Sequence, residues 1–203
     1  MDKYAFFNGE VSLGYYDEST PGMSTLWNWA AQFALADNFF PSVMSDAPTN
    51  QLYLVAANDN DNPHTIHPFF PPCNTLQKAS TGYTFQHVGD QLAASGFTWG
   101  WYHENLGQCG SYVPQQNPFQ YFTDTHDSPN LRDLSRFTSD LNSGNLPPVS
   151  FVQPGPAHSM HPAPGVPIAS GINWLDGFIR QIQASSVWSN AAIIVIWDTS
   201  GGW

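Results

Sequence analysis

Residues 191–203 read AAIIVIWDTSGGW. The apolar part, residues 191–197, has the length and continuity typical of a strand buried on both faces of a parallel sheet. Asp198 follows at once, and Gly201 and Gly202 allow a ligand or another backbone to approach closely. The stretch therefore predicts a carboxylate at the functional edge of a sheet. The alternative is that Asp198 only caps a turn.

The rest of the chain alternates between strand and helix patterns, which favours an α/β fold with a mostly parallel sheet covered on both faces. No internal repeat or linker divides it, so we expect one domain over residues 1–203. In such folds ligands collect at the carboxyl ends of the strands. Further strands are predicted at residues 39–44, 97–103 and 148–152, and helices at residues 20–36, 51–57, 88–95, 131–141 and 172–182.

Polar side chains follow two of these predicted strands. Ser45, Thr49 and Asn50 occupy the turn that leads into the second predicted helix. A hydroxyl there has the N–H groups of the helix start behind it, which stabilise a bound anion or a developing oxyanion. The alternative is that these residues only cap the helix. Glu104, at the end of the strand at 97–103, is a candidate substrate-binding residue.

Two histidines, His158 and His161, lie three residues apart in the loop after the strand at 148–152. An imidazole at a strand end can protonate a leaving group or hold phosphate oxygens. An isolated surface histidine usually has no such role, but a pair in this position favours function. Both are therefore candidate catalytic residues.

The charge balance excludes several classes of partner. Five Lys and Arg face sixteen Asp and Glu, which gives a formal charge of −11. Nucleic-acid binding needs a basic surface that neutralises phosphates, and an anionic membrane would repel this chain. A small phosphorylated substrate is compatible with the charge if a metal ion reverses the local sign.

The two cysteines, Cys73 and Cys109, are expected to form a disulfide, the alternative being two buried free thiols. Low Lys and high Asn, Ser, Thr and Trp are typical of an exported protein, so we expect a periplasmic or secreted location. No apolar stretch is long enough to span a membrane. The first residues do not form a signal peptide, so an export signal would lie upstream of Met1.

In their order along nearly the whole chain, several short motifs resemble one bacterial phosphoesterase family. That family includes phosphatidylcholine-type phospholipases C and an acid phosphatase, within the alkaline-phosphatase-like superfamily. Each motif is weak alone, whereas the ordered set is specific. The motifs include ADNFF (36–40), NQLYL (50–54), WYHEN (101–105), NPFQYF (117–122), SFV (150–152), MH (160–161) and WD with GGW (197–203).

The resemblance implies an alkaline-phosphatase-like three-layer α/β sandwich that hydrolyses ester bonds at phosphorus. In this family a Ser or Thr hydroxyl attacks and forms a phosphoryl-enzyme, helped by acidic and amide residues that hold a divalent metal ion. By position, Asp198 matches the first member of the acidic pair and is the implied metal ligand. His161 matches the histidine on the phosphate side, and Asn50 matches the Asn after the nucleophile turn.

Two positions depart from the family pattern. The nucleophile position falls on Ala47, which cannot attack phosphorus, so a shifted turn would have to present Thr49 or Ser45; we favour Thr49 because it is nearer the helix start. The second acidic position falls on Thr199. The family's Glu-Asn segment would lie before Met1, so we expect a partial domain, incomplete at both ends.

Two functions follow from these patterns. The first is a phosphoesterase of the phospholipase C type, acting on a phosphomonoester, a phospholipid or a related ester. The second is a non-catalytic homologue that binds a ligand such as a carbohydrate or a lipid headgroup through its aromatic, acidic surface; Ala47 and Thr199 support it. A Ser-His-Asp esterase is disfavoured because the chain has no Gly-x-Ser-x-Gly elbow.

Overall fold

A computed structural model describes residues 17, 19–59, 82–161 and 166–199. Within these residues it contains five α-helices and three strands. Short 3-10 helices at Pro114–Gln116, Pro118–Tyr121 and Trp188–Asn190 connect them. The elements are α1 (Met23–Gln32), α2 (Ala47–Ala56), α3 (Val88–Ala94), β1 (Trp99–His103), β2 (Leu131–Asp133), α4 (Ser135–Asn142), β3 (Val149–Gln153) and α5 (Ile168–Gln183).

The three strands form a parallel sheet in the order β2-β1-β3. The register is set by Trp101 of β1, which pairs with Leu131 of β2 on one side and with Phe151 of β3 on the other. All five residues of β1 are buried, as expected for a central parallel strand. The α/β class and the parallel sheet predicted from the sequence are confirmed. The predicted strands at 97–103 and 148–152 and the helix at 172–182 are present with shifted ends.

An aromatic core holds α2 to the sheet. Phe119 is completely buried, and its ring stacks on Trp99 with the ring centroids 4.3 Å apart. Leu52 and Val55 on α2 belong to the same buried cluster as Trp101. Each buried aliphatic side chain of this size contributes about 2 kcal/mol to stability. The start of α2, where the candidate hydroxyls lie, is therefore anchored by the core of the protein.

The predicted helix at 131–141 is wrong in its first part. Leu131–Asp133 forms the strand β2, and the helix α4 begins only at Ser135. The Asp133 carboxylate accepts a hydrogen bond from the Ser135 backbone N–H at 2.9 Å, which fixes the turn between the two elements. The leucine spacing is compatible with a helix, but in the structure pairing with β1 provides the backbone hydrogen bonds of this short segment.

The predicted strand at 39–44 is also wrong, because this segment consists of turns and irregular, mostly exposed chain. The side chain of Asn50 binds the segment in place of a neighbouring strand. Its Oδ1 accepts from the Val43 N–H at 3.1 Å, and its Nδ2 donates to the Val43 carbonyl at 3.2 Å. The helix α2 begins at Ala47, four residues earlier than predicted, with Asp46 as its N-cap.

The apolar run at 191–197 does not form the expected strand. It belongs to no ladder of the described residues, and its side chains are exposed, Ile194 by 83%. A strand needs a neighbour for its backbone N–H and C=O groups, and apolar composition alone does not supply one. The position of Asp198 is fixed instead by a side-chain contact, described below.

The contacts divide the chain into two compact units. One comprises residues 1–40, 156–184 and 200–203, and the other residues 41–155 and 185–199. The expectation of a single domain stays a prediction. No helix in the described part of the chain has the length and apolar character needed to cross a membrane.

In the first unit, α1 packs against α5. Trp29 donates from its indole N–H to Asp176 at 3.0 Å. The helix α1 begins at Met23, later than predicted, after Gly22, whose φ of 91° is a left-handed conformation that glycine adopts without strain. The helix predicted over residues 20–36 is therefore wrong at both ends, because it begins at Met23 and ends at Gln32.

A polar network is buried beside the sheet in the second unit. The Tyr102 hydroxyl donates to Asp140 at 2.7 Å, and Arg132 donates to both the Tyr102 hydroxyl at 2.8 Å and Asp140 at 2.9 Å. Burial, followed by the hydrogen bond to Asp140, raises the pKa of Tyr102 to about 12. The network therefore joins β1, β2 and α4 through groups that satisfy one another.

Candidate functional site

The start of α2 carries the candidate nucleophiles. Asp46 caps the helix by accepting from the Thr49 N–H at 3.2 Å, and the Thr49 hydroxyl donates to the same carboxylate at 2.6 Å. Thr49 is completely buried, whereas Ser45 is partly exposed. The Ser45 hydroxyl lies 3.3 Å from that of Thr49. The two predicted hydroxyls are thus adjacent, and an acidic side chain is within reach of the proton on Thr49.

Asp198 is brought to this helix by Gln51, a residue that the sequence analysis did not single out. The Gln51 amide donates to Asp198 Oδ2 at 2.7 Å and to Gln153 Oε1 at 3.3 Å. Gln153 is the last residue of β3, so Asp198 lies near the carboxyl end of that strand. The predicted place of Asp198 near the functional edge of the sheet is consistent with this contact.

The atoms around Asp198 suit a hard divalent cation. Gln51 is 3% exposed, and its Oε1 is buried with no hydrogen-bond partner among the described residues. A buried amide oxygen of this kind normally accepts a hydrogen bond or binds a cation. Carboxylate and amide oxygens are the ligands that Mg²⁺ and Ca²⁺ prefer. The oxygens of Asp198 and Gln51 are of the type that the implied metal prefers, although the Gln51 group that faces Asp198 is its amide N–H. A metal ion at Asp198 therefore stays a prediction.

Glu104 follows β1 and closes the loop after β3. Its carboxylate accepts from the Gly155 backbone N–H at 2.7 Å. A Cβ atom at Gly155 would lie 3.2 Å from the same carboxylate, so glycine permits this approach. The contact of Glu104 with Gly155 holds the loop that follows β3. A role for Glu104 in substrate binding stays a prediction.

His103 ends β1 and is completely buried. Burial lowers the pKa of its imidazole to about 4, against the opposing hydrogen bond to the Glu104 carbonyl. Because the unfolded chain takes up this proton near pH 6.5, the free energy of unfolding should fall by about 3 kcal/mol between about pH 6.5 and pH 4. Urea titrations at several pH values test this.

The His103→Asn variant keeps an N–H donor near the Glu104 carbonyl but cannot titrate, so its stability should lack this part of the pH dependence. His161→Gln is the matched control, because His161 is exposed. An unchanged slope between pH 6.5 and pH 4 in His103→Asn would show that another group causes the acid destabilisation.

His158 and His161 lie in the first unit. The His158 ring stacks on Trp174 of α5, with the centroids 5.9 Å apart. Gly171 makes this packing possible, because a Cβ atom there would lie 2.7 Å from the His158 carbonyl and 2.5 Å from Met160. The loop that carries both candidate histidines therefore packs directly against Gly171 of α5.

Substitution of this glycine should displace the loop. We expect Gly171→Ala to lower the free energy of unfolding by about 1–3 kcal/mol, because a backbone carbonyl cannot move aside as a flexible side chain can. Gly177→Ala on the same helix meets no atom within 4 Å. It should instead stabilise by about 0.5–1 kcal/mol. Thermal unfolding of both variants checks this, and equal effects would contradict it.

A separate group in the second unit could also hold a metal ion. Ligand atoms of His87, Asp90 and Asp124 all lie within 4.8 Å of one another. His87 is buried, Asp90 is partly buried and Asp124 is exposed. None of these residues was predicted. His87 and Asp90 are three residues apart, but Asp124 is distant from both in the sequence, so no spacing joins the three.

These features define a class: an α/β protein with hydroxyl, acid and amide groups gathered at the start of a helix and near the end of a parallel strand. The family comparison agrees with that class. The model of the Phosphoesterase family matches residues 1–203, and the chain belongs to this family. The resemblance inferred from the motifs is therefore confirmed.

Several characterised proteins are similar to the chain. A non-specific phospholipase C3 of Arabidopsis thaliana is 28% identical over 95% of the chain, and a non-hemolytic phospholipase C of Pseudomonas aeruginosa is 27% identical over 100%. A phosphatidylinositol-3-phosphatase of Mycobacterium tuberculosis is 30% identical over 92% of the chain and 58% of its own length. The chain spans only 34% and 30% of the two phospholipases.

Proposed function

We propose that this chain forms part of a phosphoesterase that hydrolyses a phosphate ester of a lipid or a similar small molecule. The observation that carries the proposal is the 2.7 Å hydrogen bond from Gln51 to Asp198. It joins the acidic residue to the helix whose first turn bears Thr49, as a phosphoryl-transfer site needs. The names of the related proteins, phospholipases C and a phosphatidylinositol phosphatase, support the same substrate class.

Thr49 is the proposed nucleophile. Its Oγ1 attacks phosphorus and gives its proton to Asp46, while the bond from phosphorus to the leaving oxygen breaks. The leaving oxygen takes a proton from solvent, and water then hydrolyses the phosphothreonine. Proton donation by His158 or His161 stays a prediction from the sequence. Ser45 is the alternative nucleophile.

The remaining polar groups bind and orient the phosphate. The helix start and Asn50 lie beside the hydroxyls, and Asn50 holds the turn through its bonds to Val43. Asp198 and Gln51 would hold the divalent cation, which neutralises negative charge on the phosphate oxygens when bound. Such a cation would reverse the local sign of charge in a chain whose formal charge is −11.

One observation favours a second candidate, a non-catalytic homologue that binds its ligand without turnover. Thr49 is completely buried and Ala47 occupies the family's nucleophile position. A buried hydroxyl already bonded to a carboxylate is also typical of a helix cap. Measured turnover that depends on Asp198 separates the two functions.

We expect Asp198→Asn to lower kcat/KM for a chromogenic phosphodiester about 10²-fold, because the neutral amide loses the charge that binds a cation. The purified protein is assayed with Mg²⁺, Ca²⁺, Mn²⁺ and Zn²⁺ in turn. Asp127→Asn removes an exposed carboxylate that pairs with His126; it is the control and should leave turnover unchanged. Equal turnover in Asp198→Asn and the native protein would refute the assignment of Asp198.

We also propose an extracytoplasmic location. Cys109 is disulfide-bonded, and Cys73, the only other cysteine in the sequence, lies outside the described residues. Disulfides persist in oxidising compartments such as the periplasm and the extracellular space. Fractionation of cells that express the complete gene tests this proposal, and recovery of the protein with reduced thiols in the cytosol would refute it.

A further inference from the structure

His87 is an unusual residue to cap a helix, and its surroundings fix its ring. It precedes α3, is 1% exposed, and its ring makes edge contacts with Phe119 and Phe122 at centroid distances of 5.4 and 4.5 Å. Its Nδ1 accepts from the Asp90 backbone N–H at 3.3 Å. Its Nε2 is buried and has no hydrogen-bond partner among the described residues. An imidazole nitrogen buried in this way costs stability unless something binds it.

Two carboxylates lie beside this ring. Asp124 Oδ1 is 3.4 Å from Nε2, and Asp90 Oδ2 is 3.7 Å from Nδ1. Asp124 is 53% exposed and Asp90 38% exposed, so water can reach the group and complete a coordination shell. No Lys or Arg among the described residues forms an ion pair with either carboxylate in the structure. The group therefore has two carboxylates beside an imidazole nitrogen that makes no hydrogen bond to the described residues.

We propose that His87 and Asp124 bind a divalent transition-metal ion, with Asp90 as the supporting carboxylate. One imidazole nitrogen with carboxylate oxygens suits Zn²⁺ better than Mg²⁺ or Ca²⁺, which prefer oxygen ligands alone. The separation of 3.4 Å between Nε2 and Asp124 Oδ1 matches two ligands that lie at about 2.1 Å from one ion. This site is distinct from the Asp198 site and does not rest on the proposed phosphoesterase activity.

Binding requires one change of proton position. In the metal-free form Nδ1 accepts from the Asp90 N–H, so the proton of the neutral ring lies on Nε2. When the metal takes the Nε2 lone pair, the proton moves to Nδ1, which then gives up the hydrogen bond from the Asp90 N–H. Asp90 Oδ2 lies 3.7 Å from Nδ1 and would have to move closer to accept this proton. The carboxylate–histidine–metal arrangement that results is the usual way a ligating histidine is oriented. The bound ion would link the start of α3 to the turn at residues 123–127.

The test is titration of the 203-residue protein with Zn²⁺, and separately with Mg²⁺ and Ca²⁺, by isothermal calorimetry. Asp124→Asn should weaken Zn²⁺ binding at least about tenfold. Asp127→Asn is the matched control, because Asp127 is an exposed carboxylate on the same turn that pairs with His126 at 2.7 Å. His87→Asn keeps an acceptor at the N-cap but removes the imidazole, so it should abolish this binding while the protein still unfolds cooperatively.

The shift of the His87 ring resonances in NMR spectra identifies the ligand directly. At a subsaturating Zn²⁺ concentration the Nε2 signal should move clearly in the native protein and by a smaller amount in Asp124→Asn. Three results would overturn the proposal: no Zn²⁺ binding to the native protein, binding unchanged in both His87→Asn and Asp124→Asn, or binding lost in Asp127→Asn instead. Loss of phosphoesterase activity would not bear on it, because the readout is metal binding.

Discussion

Replacing Thr49 with alanine should lower kcat for a chromogenic phosphodiester by at least about 10³-fold, because the nucleophile is the one group whose loss removes the covalent step. The 2.6 Å hydrogen bond to Asp46 is the reason to expect an effect of this size. It supplies an acceptor for the proton that leaves the hydroxyl. KM should change little, since the hydroxyl contributes mainly to the chemical step.

The matched variant is Ser45→Ala, which removes the neighbouring hydroxyl. If Thr49 is the nucleophile, Ser45→Ala should retain most of the turnover. The opposite ranking, with Ser45→Ala inactive and Thr49→Ala active, would transfer the role to Ser45. Thr49→Ser is a further control, because it keeps a hydroxyl at the same position and should restore much of the rate.

Replacing Asp140 with alanine should destabilise the second unit by about 4 kcal/mol. The change leaves Arg132 as a mostly buried cation without its carboxylate and removes the acceptor of the fully buried Tyr102 hydroxyl. Urea unfolding followed by tryptophan fluorescence measures the loss. Asp127→Ala is the control, because its carboxylate is 67% exposed and its ion pair is a surface contact worth at most about 1 kcal/mol.

The same network should make the free energy of unfolding depend on pH. Burial of Asp140 disfavours its ionisation, but hydrogen bonds from Tyr102 and Arg132 and the positive charges of Arg132 and Arg136 outweigh burial and lower the pKa of the carboxyl. The stabilisation is therefore complete above the ordinary Asp pKa of about 3.9 and is lost as the pH falls through the lower folded-state pKa. A loss of less than about 1 kcal/mol in Asp140→Ala would contradict this account of the network.

The parts of the fold predicted well from sequence have continuous patterns. The strand β3 and the helix α5 each extend over enough residues for their periodicity to be clear. The strand β2 has only three residues, and its leucine spacing is equally compatible with a helix. Its pairing with β1 is a tertiary contact that a local pattern does not contain.

In the segment before Asp198, by contrast, a strong local pattern predicted a strand that does not form. Residues 191–197 have the strongest strand pattern in the chain, yet in the described structure they pair with no strand. Hydrophobicity predicts burial and extended conformation, but a ladder depends on a partner elsewhere in the chain. Asp198 was predicted to follow a strand at 191–197, which does not form, and its position is fixed instead by the hydrogen bond from the side chain of Gln51. Its functional role stays a prediction.

Gln51 and His87 were missed because their roles depend on burial rather than on motif. Gln51 lies inside the family motif NQLYL, but a glutamine on a helix is ordinarily exposed, and only the structure shows it 3% exposed and bound to Asp198. His87 is isolated in sequence, and its carboxylate partners lie three and thirty-seven residues further along the chain. Neither the contact of Gln51 nor the group around His87 could be recognised from the spacing of residues alone.

The hydroxyl at the start of α2 is expected to form a phosphoryl-enzyme during turnover. The most direct measurement is an acid quench of the protein during turnover, followed by mass spectrometry of the peptide that contains residues 41–57. Phosphothreonine survives acid, so the account predicts a phosphate on Thr49 that is absent from Thr49→Ala. Turnover with no phosphate on this peptide, or with phosphate on an acid-labile histidine or aspartate elsewhere, would contradict it.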